Sequence, residues 1–192
     1  DLPDLIGFGQ SLGMVTGLLT NGVKLADIGF AKALADAGLD HVQITLESSS
    51  GNIHNSLTGA DSFEDTVSSI GNCLNSGIHT ITNTTITKLN IEGISQVAEF
   101  ASELGLGAMA ANAVIRSGKS SEGDLAVSPV ELEIALLQLS EKLDELDMRF
   151  IWYSPTKYCR FNPMEFSLGP KRCTAGEYNL CIEPDGEVLP CQ

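Results

Sequence analysis

Five cysteines are the side chains in this sequence best suited to a soft metal, and four of them lie in the last 34 of its 192 residues. Residues 178–183 predict a strand, 184–186 a turn and 187–189 a return strand. Such a hairpin brings Cys173 and Cys191 towards each other, and neighbouring thiolates suit zinc or an iron–sulfur cluster. Two thiolates fill half of a tetrahedral site, so further ligands must lie elsewhere.

A second group of polar side chains stands where predicted strands end, namely Thr20, Asn21, Thr45, Glu47 and Asn83. Parallel strands bring their carboxyl ends to one edge of a sheet, which is where such folds bind small ligands. Strand ends are also polar because loops face water. From the residues alone, a ligand-binding rim and an ordinary solvated rim both stay open.

Strands and helices alternate along most of the chain and would position these groups. The predicted strands are residues 15–20, 41–46, 78–87, 107–115 and 148–153. The predicted helices are residues 25–37, 63–74, 94–104 and 129–146, with a weaker helical pattern over 5–14. Ser128-Pro129-Val130-Glu131 is a capping box that begins the last helix. The alternation predicts βα units around a parallel sheet.

The net charge of the chain indicates which kinds of binding partner are disfavoured. The sequence has 11 basic and 25 acidic residues and a formal net charge of −14. Such a surface disfavours nucleic acid and anionic membranes as partners. No run of about 18 apolar residues predicts a membrane span, and no signal peptide is visible. Clustered cysteines in such a chain suggest metal binding in a reducing compartment, so we expect a cytoplasmic protein.

Four short stretches follow one another in a familiar order. Residues 19–22 read LTNG, residues 37–47 read AGLDHVQITLE, and residues 54–59 (HNSLTG) precede Ser62-Phe63. Near the end come Cys173, twelve residues, Gly186, four residues and Cys191. Together they resemble the radical S-adenosylmethionine (SAM) enzymes that carry a SPASM-type auxiliary cluster domain. In that family they correspond to the third strand's end, the fourth strand, the loop and helix that follow, and the SPASM opening.

The resemblance implies an α/β fold in two parts. Residues 1–153 correspond to a partial (β/α) radical SAM barrel, about strands three to six. Residues 154–192 correspond to a linker and the opening of the small cysteine-containing β domain. In the family, a Cys-x3-Cys-x2-Cys motif holds the [4Fe–4S] cluster at which SAM yields a 5′-deoxyadenosyl radical. That motif is absent here, so we expect either an inactive fragment of a maturase or a degenerate paralogue.

The resemblance also implies roles for particular residues. The cofactor-binding residues are expected to be Thr20, Asn21, Thr45, Glu47 and Asn83, and the metal ligands Cys173 and Cys191. No residue of this chain is assigned a catalytic role. SAM and [4Fe–4S] clusters are the implied cofactors of the full-length parent. A peptide, protein or tetrapyrrole is the implied substrate, with a ferredoxin or flavodoxin as electron donor.

Two other functions fit the residues. One is a binding module for SAM or a small ligand that performs no radical chemistry. The other is a plain (β/α) barrel aldolase or isomerase in which Arg116 and Lys119 meet a substrate carboxylate. His41, His54 and His79 show no metal-ligand spacing, so each is expected to be an ordinary core or surface histidine.

Side-chain direction provides a geometric expectation. Thr20, Thr45 and Asn83 are expected to line one cavity, with Leu136, Leu139 and Leu143 packed outside the sheet. Gln43 should share the face of Thr45, and the opposite face of that strand should carry Val42, Ile44 and Leu46. Because side chains alternate along a strand, an offset of one residue would turn a site residue towards the helices.

Overall fold

The computed structural model describes residues 1–115, 124–155, 158–159 and 161–190. Its chain divides into two compact units, Asp1–Tyr153 and Ser154–Gln192. Three residues to which the sequence analysis gave roles, Arg116, Lys119 and Cys191, lie outside the described residues. No helix of the described chain is both long and apolar enough to cross a membrane.

The first unit alternates strands with helices, as the sequence predicts. Its strands are β1 (Gly17–Thr20), β2 (His41–Thr45), β3 (His79–Ile86), β4 (Ala108–Ala113) and β5 (Arg149–Trp152). Its helices are α1 (Leu2–Ser11), α2 (Ile28–Asp36), α3 (Gly51–Thr58), α4 (Phe63–Asn75), α5 (Ile94–Glu103) and α6 (Pro129–Glu145). Short 3₁₀ helices occupy Val23–Ala26 and Ile91–Gly93.

The five strands form one parallel sheet in the order β1-β2-β3-β4-β5. Each strand therefore pairs with its neighbours in the chain, and each crossover contains at least one helix. This is the arrangement of a partial (β/α) barrel, so the predicted fold class is confirmed.

The register between strands divides the sheet into two faces, because paired residues of parallel strands point the same way. Gln43 pairs with Ile81, and Thr45 pairs with Asn83, which pairs with Ala110. We call this side, which also carries Asn112 and Tyr153, the polar face. The opposite side carries Val42, Ile44, Leu46, Thr84 and Trp152, and we call it the helix face.

The helices cover the helix face. A Cβ atom added at Gly22 would meet both Ile44 of β2 and Ser69 of α4, which places α4 against this side. Phe63 of α4 stacks on Phe100 of α5 at 5.9 Å, and α5 in turn packs on α6. On α6, the three leucines expected outside the sheet are fully buried, namely Leu136, Leu139 and Leu143.

Helix beginnings show where local sequence rules held. Ser128 Oγ accepts the Glu131 amide at 3.2 Å, and the Glu131 carboxylate accepts the Ser128 amide at 2.7 Å, so the capping box of α6 is confirmed. The helix expected over residues 25–37 instead begins at Ile28. Asp27 caps α2 by accepting the Gly29 amide at 2.8 Å, and Leu25 belongs to the preceding 3₁₀ helix.

The connection between β2 and α4 differs from the expected loop. Residues 51–58 form α3, whose one fully buried side chain is His54 rather than an apolar residue. Its two large apolar residues, Ile53 and Leu57, are four apart as in a helix but too few to predict one. Ser62 occupies the N-cap of α4, but its hydroxyl makes no capping hydrogen bond. Asn55 does this instead, since its Oδ1 accepts the amides of Ser62 and Phe63 at 3.0 Å each.

The second unit is small and contains an antiparallel hairpin of β6 (Cys181–Ile182) and β7 (Val188–Leu189). Glu183 and Gly186 close its turn, with the Gly186 amide donating to the Glu183 carbonyl at 2.8 Å. Gly186 has φ of +90°, a value that favours glycine. The hairpin and its turn match the sequence prediction, although the paired strands are shorter than expected.

Candidate functional site

Polar side chains from β2, β3 and β4 converge on the polar face. Thr45 and Asn83 are direct partners across β2 and β3, so their side chains are neighbours. Asn112 of β4 donates its amide Nδ2 to Asn83 Oδ1 at 3.0 Å, which fixes the orientation of the Asn83 amide. All three are half-buried, so they remain within reach of a bound molecule. Thr45 and Asn83 thus lie together, as predicted.

A longer hydrogen bond crosses the same face. Tyr153, which follows β5, donates its hydroxyl to Gln43 Oε1 of β2 at 2.9 Å, passing over β3 and β4. Gln43 is almost fully buried, whereas Tyr153 is half exposed. Burial raises the pKa of Tyr153, so its hydroxyl keeps its proton and acts as a donor. This bond ties the second strand to the last one.

Glu47 lies just beyond β2, two residues after Thr45, with its carboxyl against β3. Its Oε2 accepts the Thr85 backbone amide at 2.8 Å. Burial raises the pKa of Glu47 to about 7, and the Thr85 hydrogen bond opposes that shift only in part. A carboxyl group with this pKa changes charge near neutrality and would gain strongly from a cationic or hydroxyl-bearing ligand.

Asn90 holds together the chain segments that leave β2 and β3. Its Nδ2 donates to the carbonyl oxygens of Glu47 at 2.8 Å and Thr85 at 2.9 Å. Its Oδ1 accepts the amide of Thr87 at 2.8 Å. The Thr87 hydroxyl also donates to Asn90 Oδ1 at 3.0 Å, so the almost completely buried Asn90 side chain makes four hydrogen bonds, three of them to backbone groups.

Thr20 does not share this face, so the prediction that it lines one cavity with Thr45 and Asn83 is wrong. Thr20 pairs with Ile44, whose side chain points to the helices. It lines a pocket there with Leu18 and Phe30. The physical reason is register: β1 is offset by one residue from the expected frame, and one residue turns a side chain to the opposite face.

Both Thr20 and Asn21 take part in the turn that ends β1. Thr20 Oγ1 accepts the Gly22 amide at 3.1 Å, and Asn21 Oδ1 accepts the Val23 amide at 3.2 Å. These bonds are typical of the turns that Ser, Thr and Asn favour without any ligand. Asn21 is exposed at the carboxyl edge of the sheet.

The described cysteines of the second unit, Cys159, Cys173 and Cys181, form no disulfide bond within the described chain. Cys173 is exposed, and Cys181 lies in β6 with its Sγ 3.7 Å from Glu183 Oε1. Within the described ranges, no three or more His, Cys, Asp and Glu side chains come close enough to hold a metal ion. In the first unit, Cys73 is a buried residue of α4, and burial raises its pKa to about 11.

Several residues around the site were not found from the sequence, namely His54, Asn90, Asn112 and Tyr153. Asn112 and Tyr153 could have been found by counting alternate residues along β4 and β5 from a known register. Asn90 stands just before the 3₁₀ helix that leads into α5, and this position carries no sequence signal for its contacts with the Glu47 and Thr85 backbone. His54 was interpreted as an ordinary histidine, and nothing in its spacing indicated that it contacts Glu47.

Comparison with known proteins identifies the family. The sequence model of the Radical SAM superfamily matches residues 5–103, which is 99 of the 192 residues and just over half of the chain. The chain belongs to the radical SAM superfamily. The predicted radical SAM resemblance is therefore confirmed, whereas its SPASM portion stays a prediction.

Two curated relatives of this chain carry the name PqqA peptide cyclase. The chain is 27% identical over 197 residues to that of Rhizobium meliloti (strain 1021), covering 100% of this chain and 50% of the relative. It is 27% identical over 195 residues to that of Methylocella silvestris, covering 100% and 51%. The chain thus spans about half the length of the curated relatives it matches.

Two solved structures share the fold of this chain. The structure of Streptococcus suis SuiB bound to precursor peptide SuiA aligns over 100% of this chain and 45% of its own, with a TM-score of 0.77 and 15% identity. The structure of anSMEcpe with bound AdoMet and a Kp18Cys peptide aligns over 71% and 40%, with a TM-score of 0.60 and 16% identity. At these identities the likeness shows the fold.

Proposed function

We propose that this chain is the SAM-binding part of a radical SAM enzyme that acts on a peptide, that it is inactive by itself, and that Thr45, Glu47 and Asn83 contact the bound SAM. The observation that carries this proposal is the polar face of a sheet that belongs to the radical SAM superfamily. An ordinary parallel sheet buries apolar side chains on both faces. Here the carboxyl end of one face instead presents a hydroxyl, a carboxyl and an amide group.

The chemistry of these groups fits SAM. Its ammonium and ribose hydroxyls are hydrogen-bond donors, and the Glu47 carboxyl, when ionised, accepts such bonds. Thr45 and Asn83 each both donate and accept, so they suit ribose hydroxyls and the amino-acid portion. In this family SAM supplies a carbon-centred radical that abstracts hydrogen from the substrate. The residues of this chain would bind and orient SAM and keep water away from it.

The residues present do not fit the family's iron–sulfur cluster. The sequence contains no Cys-x3-Cys-x2-Cys, and the described part of the chain brings no three metal-ligating side chains together. The proposed roles of Cys173 and Cys191 as auxiliary-cluster ligands rest on the SPASM spacing alone. An electron donor such as a ferredoxin or flavodoxin, and a reducing cytoplasmic location, belong to the same proposal.

The names of relatives support a peptide as the substrate. Two relatives that cover the whole chain are PqqA peptide cyclases, and SuiB was solved with its precursor peptide. A tetrapyrrole or a folded protein has no comparable support. We therefore favour a peptide over the other two substrate classes that the sequence left open.

The proposal is tested by SAM binding to two threonine variants that differ in face. Thr45→Val removes a hydroxyl from the polar face, and Thr20→Val removes one from the helix face. Calorimetric titration with SAM should show about fivefold weaker binding for Thr45→Val, the worth of one hydrogen bond, and no change for Thr20→Val. Equal affinity in both variants and the wild type would remove the polar face from the SAM site.

A second candidate is a SAM or small-ligand binding module without radical chemistry. The absence of a metal-ligating cluster from the described residues favours it for this chain by itself. The two candidates differ in whether the full-length parent cleaves SAM reductively. Formation of 5′-deoxyadenosine under anaerobic reduction, compared with a control without protein, measures that difference.

A further inference from the structure

His54 is a fully buried ionisable residue beside the proposed site. It lies on α3, and its ring meets the edge of Phe63 with ring centroids 5.6 Å apart. A buried imidazole needs a hydrogen-bond partner for each of its nitrogens. The identity of those partners decides which nitrogen carries the proton.

The partners of His54 specify one tautomer. Its Nδ1 lies 3.2 Å from the Glu47 backbone nitrogen, whose N–H can only donate. Nδ1 is therefore the acceptor, and the proton resides on Nε2. Nε2 lies 3.3 Å from Ser62 Oγ and 3.5 Å from Thr66 Oγ1, both of which can accept it. Burial lowers the pKa of His54, which favours the same neutral ring.

Glu47 is consequently held at three points. Its amide donates to His54, its carbonyl accepts from Asn90 at 2.8 Å, and its carboxyl accepts from the Thr85 amide at 2.8 Å. With both backbone dipoles fixed, the side chain leaves the backbone in one direction. The His54 network also reaches β1, because the Thr66 hydroxyl donates to the Asn21 carbonyl at 3.2 Å.

We propose that His54 is a positioning residue for Glu47. As the neutral tautomer protonated at Nε2, it holds the Glu47 amide through Nδ1 and thereby keeps the Glu47 carboxyl at the ends of β2 and β3. His54 itself touches no ligand. The positioning stands on the hydrogen bonds alone, whereas its effect on SAM affinity rests on the proposed function.

Two amide variants of His54 distinguish the role of its Nδ1 atom from that of its Nε2 atom. In His54→Asn, the amide oxygen lies near the place of Nδ1 and can still accept the Glu47 N–H. In His54→Gln, the amide reaches the place of Nε2 and the Nδ1 acceptor is lost. We expect the Glu47 amide to exchange its hydrogen about fivefold faster in His54→Gln than in His54→Asn, which is the worth of one hydrogen bond. Ser62→Ala, which removes a partner of Nε2 and of the Thr58 hydroxyl but leaves Nδ1 untouched, is the matched control and should leave this exchange close to wild type.

Carbon NMR of the Glu47 carboxyl provides a readout that loss of packing alone would not produce. Its titration should shift in His54→Gln and stay near the wild-type midpoint in His54→Asn. Equal exchange rates and equal midpoints in the two variants would overturn the proposal. Nitrogen NMR of the wild type needs no variant to fold: a proton on Nδ1 at pH 7 would also overturn it.

SAM titration of the same variants keeps the two proposals apart. If the wild type binds SAM, His54→Gln should bind about fivefold more weakly and His54→Asn should bind like wild type. Equal SAM affinity in His54→Gln and the wild type would contradict the proposed contact between Glu47 and SAM, whereas the NMR measurements decide the positioning role. If the wild type does not bind SAM, the proposed function fails, and the NMR measurements still decide the role of His54.

Discussion

The two faces of the sheet are made from alternate residues of the same strands, yet they are built differently. On the helix face, Val42 and Ile44 are completely buried beneath helices. On the polar face, Thr45 and Asn83 keep partial exposure, and their neighbours form side-chain hydrogen bonds across strands. The helix face supplies stability through apolar burial, and the polar face keeps hydrogen-bonding groups available at some cost to stability.

The largest expected change in stability comes from a substitution in α6, one of the helices that cover the helix face. Leu139→Ala empties a fully buried position on α6 and should lower the free energy of unfolding by roughly 3–4 kcal/mol. Ile134→Ala on the same helix, where the side chain is 50% exposed, should cost far less. Urea denaturation followed by circular dichroism measures both. Similar losses for the two variants would contradict the burial of this face.

An intermediate effect is expected at Glu47, and its sign follows from the pKa. The folded-state pKa of about 7 lies above the ordinary 4.5, so the folded protein binds this proton more tightly. The stabilisation is complete below about pH 4.5 and is lost as the pH rises through 7. Glu47→Gln has no carboxyl to ionise, so its free energy of unfolding does not fall in this way. The free energy of unfolding of Glu47→Gln minus that of wild type should therefore rise by about 2 kcal/mol between pH 5.5 and 8.5.

A matched substitution at an exposed glutamate controls for net charge. Glu103→Gln removes one negative charge at the exposed end of α5 and should show no such change with pH. His54, whose lowered pKa has the opposite sign, is present in all three proteins and cancels in the comparison. Denaturant titrations across this pH range give the free energies. If the difference in free energy of unfolding between Glu47→Gln and wild type does not change with pH, the Glu47 carboxyl is solvated.

The smallest effect concerns the bond across the polar face. Tyr153→Phe removes the hydroxyl that donates to Gln43 and should cost about 1 kcal/mol or less, because Tyr153 is half exposed. Tyr178→Phe, at a tyrosine that is 75% exposed, should leave stability unchanged. Thermal unfolding compares them. If both substitutions are silent, the bond contributes nothing measurable to holding the sheet.

The sequence predicted elements better than it predicted faces. Strand positions followed from β-branched runs, and the start of α6 followed from its capping box. In β3, however, Thr82 and Thr84 point to the helices while Ile81 lies on the polar face. The alternation of apolar and polar residues therefore does not predict the face on which Asn83 lies. The pairing of Asn83 with Thr45 of β2 shows that face. The sequence of β1 likewise does not show to which face Thr20 points, and for this reason the prediction for Thr20 was wrong.

The contacts around Glu47 were harder to predict for a different reason. Thr45 and Glu47 were found because their types and positions match a family pattern. His54 and Asn90 form hydrogen bonds with the Glu47 backbone, and such bonds cannot be predicted from residue spacing because every residue has the same backbone groups. Their roles become visible only when α3 and the turn after β3 are placed in space. The family resemblance thus singled out the groups that we propose meet a ligand, and residue spacing missed the groups that hold them in place.

The strand order has a consequence for how the chain assembles during synthesis. Because β1 to β5 follow chain order, each strand emerging from the ribosome pairs with the strand made just before it. No strand has to enter between two that are already joined, so every closure spans a single crossover and loses little chain entropy. The Gln43–Tyr153 bond joins residues 110 apart in sequence and can close only after the chain has been made as far as the end of β5.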